Sequence, residues 1–185
     1  MARNFNGTQI NQSVTISEKA GANITDVRNK IMKFDASGNV VIATDGTAPL
    51  VGIALIEAGA NDISGVDSGK VSSGEDVDVQ IKDIGYVIAS AAISKGAEIT
   101  ATTGGLAKTA TTGEYVIGIA LTAATAANDY VRVQISKYQK ADGDATGLKL
   151  SDLKDVDLST PATDGQVLKY NGEATKWKAG NDATA

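Results

Sequence analysis

The sequence predicts an all-β protein: a small β-barrel or sandwich made from a duplicated β unit, with an extended N-terminal arm and a C-terminal β-hairpin tail. Three observations carry this expectation. The 185 residues include 20 Gly against 2 Pro and are rich in Ala, Thr, Val and Ile, a composition suited to short strands joined by tight turns. Apolar residues at helical spacing are scarce. The phrase "VGIAL" at 51–55 returns as "IGIAL" at 117–121, and each copy leads into an alternating stretch, "VDVQIK" at 77–82 and "VRVQIS" at 131–136.

The elements follow in chain order. Residues 1–18 are polar and lack a core-forming pattern, so they read as an arm. Its alternating "SVTIS" suits addition to the edge of a foreign sheet, and its apolar side chains Phe5, Val14 and Ile16 are the ones it offers to a partner. Residues 19–138 form the duplicated domain. There "SGNVVIATDGTAPLVGIAL" at 37–55 lies without gaps on "TGGLAKTATTGEYVIGIAL" at 103–121, placing Gly38 over Gly104 and Gly52 over Gly118. Five of these nineteen positions are identical.

From the repeated phrase to the second strand the first copy takes twenty-one residues and the second takes nine. The first copy therefore carries a twelve-residue insertion within "IEAGANDISGVDSGKVSSGED". The unbroken "VGIAL" predicts a central strand buried on both faces, its Gly marking a close backbone approach. In the alternating stretches Val77, Val79 and Ile81, like Val131, Val133 and Ile135, share one face. Between the copies, "IGYVIASAAISKGAEIT" adds further strands around a "KG" turn. Both copies of the phrase are expected to feed a single barrel or sandwich.

Residues 139–147 read as a linker, charged and Gly-containing, and residues 148–185 as a hairpin tail. Nine large apolar side chains are too few to order this tail in isolation. It is expected to be either disordered or packed against another surface through Leu153, Val156, Tyr170 and Trp177, the last being the only Trp.

Composition excludes several chemistries. With no His and no Cys there is no Ser-His-Asp triad, thiol nucleophile, structural zinc site or disulfide framework. The remaining carboxylates, Lys, Tyr and hydroxyls show no catalytic spacing, so no enzyme, cofactor or metal is expected. The acidic insertion lacks the D-x-D-x-D-G spacing of a calcium loop and reads as a solvated surface. A net charge of −5 argues against a nucleic-acid partner. The N-terminus lacks an apolar core of signal-peptide length and no apolar run approaches a membrane span, so a soluble protein made in a cytoplasm, without a membrane partner, is expected.

The order of these pieces resembles tailed-phage capsid cement, or head decoration, proteins over about residues 1–138: a polar arm, "DASGNVVIATDGTAPLVGIAL", "VDVQIKDIGYVIAS", then "GEYVIGIALTAATAANDYVRVQIS". The segment "LKLSDLKDVDLSTPATDGQVLKYNGEATKWKAG" at 148–180 resembles a short module of phage tail-fibre and head-fibre proteins. The resemblance implies a structural virion protein on the exterior of the capsid, made in a bacterial host. Its implied partners are the major capsid protein, met by the arm residues Phe5, Val14 and Ile16, and further copies of itself in a homotrimer. A fibre protein is implied as a third partner through the tail. The alternative it implies is a head-fibre or tail-fibre-associated adhesin whose C-terminal segment contacts a receptor or another fibre protein.

Overall fold

The computed structural model describes residues 14–61, 63–141 and 149–181, and the chain divides into two compact units between Ala141 and Asp142. The first unit is all β. Strands β1 (Thr15–Lys19), β2 (Ile31–Phe34), β3 (Val40–Ile42), β4 (Leu50–Ala54) and β5 (Asp76–Gln80) form one sheet in the order β1-β5-β4-β2-β3. Strands β6 (Ile84–Ile88), β7 (Glu98–Thr102), β8 (Leu106–Thr109), β9 (Tyr115–Ala120) and β10 (Tyr130–Gln139) form a second in the order β6-β10-β9-β7-β8. The two orders are the same once β6 is matched to β1.

The ladders make the duplication residue by residue. Met32 lies between Ile42 and Gly52, as Ile99 lies between Thr109 and Gly118. Gln80 pairs with Ile53 as Gln134 pairs with Ile119. A parallel bridge from Ala20 to Val40 joins the end of β1 to β3, and its counterpart from Ala89 to Ala107 joins the end of β6 to β8. Each bridge brings the two edges of its sheet together, so each half rolls toward a small barrel. Of the expected barrel or sandwich fed by both phrases, one closed barrel is not what forms: each half supplies all five strands of its own sheet with its phrase on the central strand, and the two central strands share a core.

The ladders also correct the hairpin register. Gly38 stands two residues before Val40, and the matching position two before Ala107 is Gly105, not Gly104. Both have the positive φ that favours glycine, 81° and 68°. The ungapped sequence match slips here because the first half's β3–β4 connection is one residue longer.

Two cores result. Ala20, Val27, Met32, Val40, Val51, Val77 and Val79 pack within the first half. The second half packs Val87, Ile99, Ile117, Val131 and Val133 together with Ile31, Ala43, Leu50 and Ile53 of the first. Strand β4 serves both, which is why all five of its residues are buried. A bulge between Met32 and Lys33 in the β2–β4 ladder interrupts the alternation, sending Val51 to one core and Leu50 and Ile53 to the other. The Val51 carbonyl, out of step with the β2 ladder, accepts a 2.8 Å hydrogen bond from Lys137 Nζ of β10. Burial pushes the Lys137 pKa down.

The arm boundary is corrected as well. Thr15–Lys19, mostly assigned to the arm, is a strand whose five residues pair antiparallel with Gln80–Asp76 of β5.

The described residues of the second unit hold a 3-10 turn at Leu150–Asp152, followed by β11 (Val156–Asp157), β12 (Gln166–Asn171) and β13 (Lys176–Asn181) in the order β11-β13-β12. The expected hairpin is β12–β13, and β11 adds a third, parallel strand against β13.

Candidate interaction surfaces

In the second unit, pairing alone sorts the side chains. Tyr170 lies opposite Trp177, Leu168 opposite Ala179, and Val156 beside Trp177 on the other flank. Directly paired residues share a face, so Val156, Leu168, Tyr170, Trp177 and Ala179 make one side of the sheet apolar. Asp157, Lys169, Lys176 and Lys178 lie on the other side. Tyr170 and Trp177 meet edge to face, with ring centroids 5.4 Å apart and planes at 63°, the arrangement aromatic quadrupoles favour.

This apolar side is open within its own unit. Tyr170 is 56% exposed, Trp177 39% and Leu168 38%. Val156 is the exception, buried at 8% exposure. Leu153 is exposed in the turn before β11, and Leu150 is exposed in the 3-10 turn. Of the four tail residues singled out from sequence, Val156, Tyr170 and Trp177 therefore converge on one face. Leu168 belongs with them; its two-residue spacing from Tyr170 is the signal that places it there.

The polar side is braced by Asp157. Its carboxylate accepts from the Ser159 backbone at 3.1 Å and pairs with Lys178 Nζ at 3.3 Å. The Ser159 hydrogen bonds, with Lys178 behind them, hold the Asp157 pKa down at about 2.

At the N-terminal end, Phe5 lies outside the described residues. The Val14 carbonyl accepts from Ile81 N at 2.8 Å, and Ile16 pairs with Val79 and packs on the first core. These two residues are thus engaged by their own chain. Among the described residues the sheet order leaves β1 outermost, and Ala20 at its end bridges onward to Val40.

Among the described residues no three acidic side chains converge as a cation site would require. Four of those near the insertion have other partners: Asp76 pairs with Lys19, Asp78 accepts from Ser17, Asp67 pairs with Lys70, and Glu75 accepts from Ser72 N. Among the described residues no helix is long and apolar enough to cross a membrane.

No protein-family model matches the chain, and no curated protein matches it. Among solved structures the chain is similar to the N base of the head fibre protein gp8.5 of bacteriophage phi29, with a TM-score of 0.44 and 21% identity. The likeness covers 68% of this chain and 98% of that one.

Proposed function

We propose that this chain is a structural protein of a phage virion, seated on the capsid exterior by its duplicated β unit and presenting its C-terminal sheet for assembly contacts. The observation that carries the reading is the division of labour within the chain. A doubly repeated, well-packed β body with two cores is followed by a small three-stranded sheet whose aromatic face is left open. Such a face suits a contact made with another surface rather than chemistry on a small molecule. The resemblance of residues 1–138 to cement proteins supports the capsid as the first surface. The tail module supports a second contact, with further copies of the chain in a homotrimer or with a fibre protein.

The head-fibre reading has its own support in the same open face, which a projecting fibre would use at its base or tip. Copy number separates the two. Mass spectrometry of purified particles should return a count close to that of the major capsid subunit for a cement, and a far lower count for a fibre. Absence of the chain from purified particles would overturn both.

A further inference from the structure

The turn joining β12 to β13 is built around an asparagine–glycine pair. Asn171 is the last residue of β12, Gly172 follows it, and both are exposed. The asparagine amide thus adjoins a backbone nitrogen whose own residue has no side chain to shield it. A Cβ on Gly172 would meet nothing within 4 Å, so the surroundings do not shield it either. Asn171 pairs across the hairpin with Lys176, on the side of the sheet opposite Tyr170 and Trp177. A partner seated on the aromatic face would leave it open to water.

What sets this amide apart is the place of its oxygen. Asn171 Oδ1 accepts from Glu173 N at 3.0 Å and from Ala174 N at 3.1 Å. Two backbone N–H groups converging on one carbonyl oxygen are the donor set of an oxyanion hole. They polarise the C=O bond and stabilise the charge that gathers on oxygen when a nucleophile adds to the carbon. As a cap, the turn needs only that oxygen and not the amide nitrogen. In the β2–β3 turn the same work is done by a carboxylate, Asp35 Oδ1 accepting from Ser37 N at 2.8 Å and from Asn39 N at 2.9 Å.

We infer that Asn171 is a site of self-modification, at which the Gly172 backbone nitrogen adds to Asn171 Cγ and the amide is converted to an acid through a cyclic imide. The Gly172 N–H gives its proton to solvent as the new N–Cγ bond forms. The side-chain nitrogen then leaves as ammonia, taking a proton from water, and nothing is oxidised or reduced. Water opens the ring at either of its two carbonyls. Opening at Cγ restores the main chain and leaves aspartate, which keeps the cap as Asp35 does. Opening at the main-chain carbonyl leaves isoaspartate, with one more methylene in the backbone between residues 171 and 172. That extra length falls where the ladder pairs Asn171 with Lys176 and Tyr170 with Trp177, so it displaces the aromatic pair from its register. The inference goes beyond the virion reading and holds or fails without it.

The test compares the full-length chain with itself. One sample is kept folded at neutral pH and a second is kept unfolded in guanidinium chloride at the same pH. The peptide spanning Asn171 is followed in both by mass spectrometry for exchange of amide for acid. The folded chain should convert several-fold faster than the unfolded one, because only the turn supplies the two donors, and isoaspartate should appear beside aspartate. Gly172→Ala should slow the folded chain several-fold by placing a methyl group beside the attacking nitrogen. A folded rate equal to or below the unfolded rate, or one unchanged by Gly172→Ala, overturns the inference. The first of these outcomes would mean that the two hydrogen bonds hold the amide away from Gly172 and protect it.

Discussion

At Gly52 and Gly118 the fold leaves no room for a methyl group. A Cβ on Gly52 would stand 2.2 Å from the Gln80 carbonyl oxygen and 2.8 Å from Val79 Cγ1; on Gly118 it would stand 2.1 Å from the Gln134 oxygen and 2.7 Å from Val133 Cγ1. The obstructing atoms are chiefly backbone of the neighbouring strand, which cannot swing aside as a side chain would. Gly52→Ala and Gly118→Ala should therefore each destabilise the protein by about 1–3 kcal/mol through overpacking, and by similar amounts. Gly172→Ala, with nothing within 4 Å of its Cβ and no positive φ, should change stability little. Denaturant melts of the three variants measure this; unequal costs at the paired positions would show that the two halves answer the same clash differently. The need for glycine here was legible in the repeated phrase. The role of Lys137 was not, because it satisfies a carbonyl displaced by a bulge eighty-six residues away, and neither alternation nor spacing announces a bulge.

At the scale of elements, the strands that could be read were those with a constant offset or a clean alternation: β4, β9, β5 and β10. Strand β1 was visible as "SVTIS" but was placed in the arm, since a polar five-residue strand with none of its residues fully buried pairs only where tertiary context supplies β5. The two-residue β11 carries too little sequence to show a period. It owes its place to β13: Trp177 N donates to the Asp155 carbonyl at 2.7 Å, and Asp157 spans to Lys178. That brace sets a pH dependence. The Asp157 pKa is about 2 in the fold against an ordinary 3.8. A carboxyl depressed on folding stabilises the folded form above its unfolded pKa, and loses that contribution as pH falls through the folded value. The second unit should thus loosen between about pH 4 and pH 2. Trp177, the sole indole, lies on the neighbouring strand and reports this unit alone. An acid titration of its fluorescence should show the transition, and Asp157→Asn should flatten it; an unchanged titration in the variant would assign the transition to another carboxyl.

For the whole molecule, the open face of the second unit is the feature on which the proposed assembly contact rests. Three short strands with one side exposed bury little apolar surface, whereas the first unit holds two closed cores. If the tail draws stability from association, mass action makes that stability concentration-dependent. If copies of the tail pack face to face, Trp177 passes from 39% exposure to a dry interface, and its emission should lie to the blue in concentrated protein and move to the red on dilution. The shift should track the fall in mass seen by sedimentation. Leu168→Asp, which sets a charge beside Tyr170 and Trp177 on the same face, should give the red emission at every concentration while the β body melts as before. Blue emission from a chain proven monomeric, or water-like emission in intact particles, would refute self-packing of this face and leave the tail as a tether for a different partner.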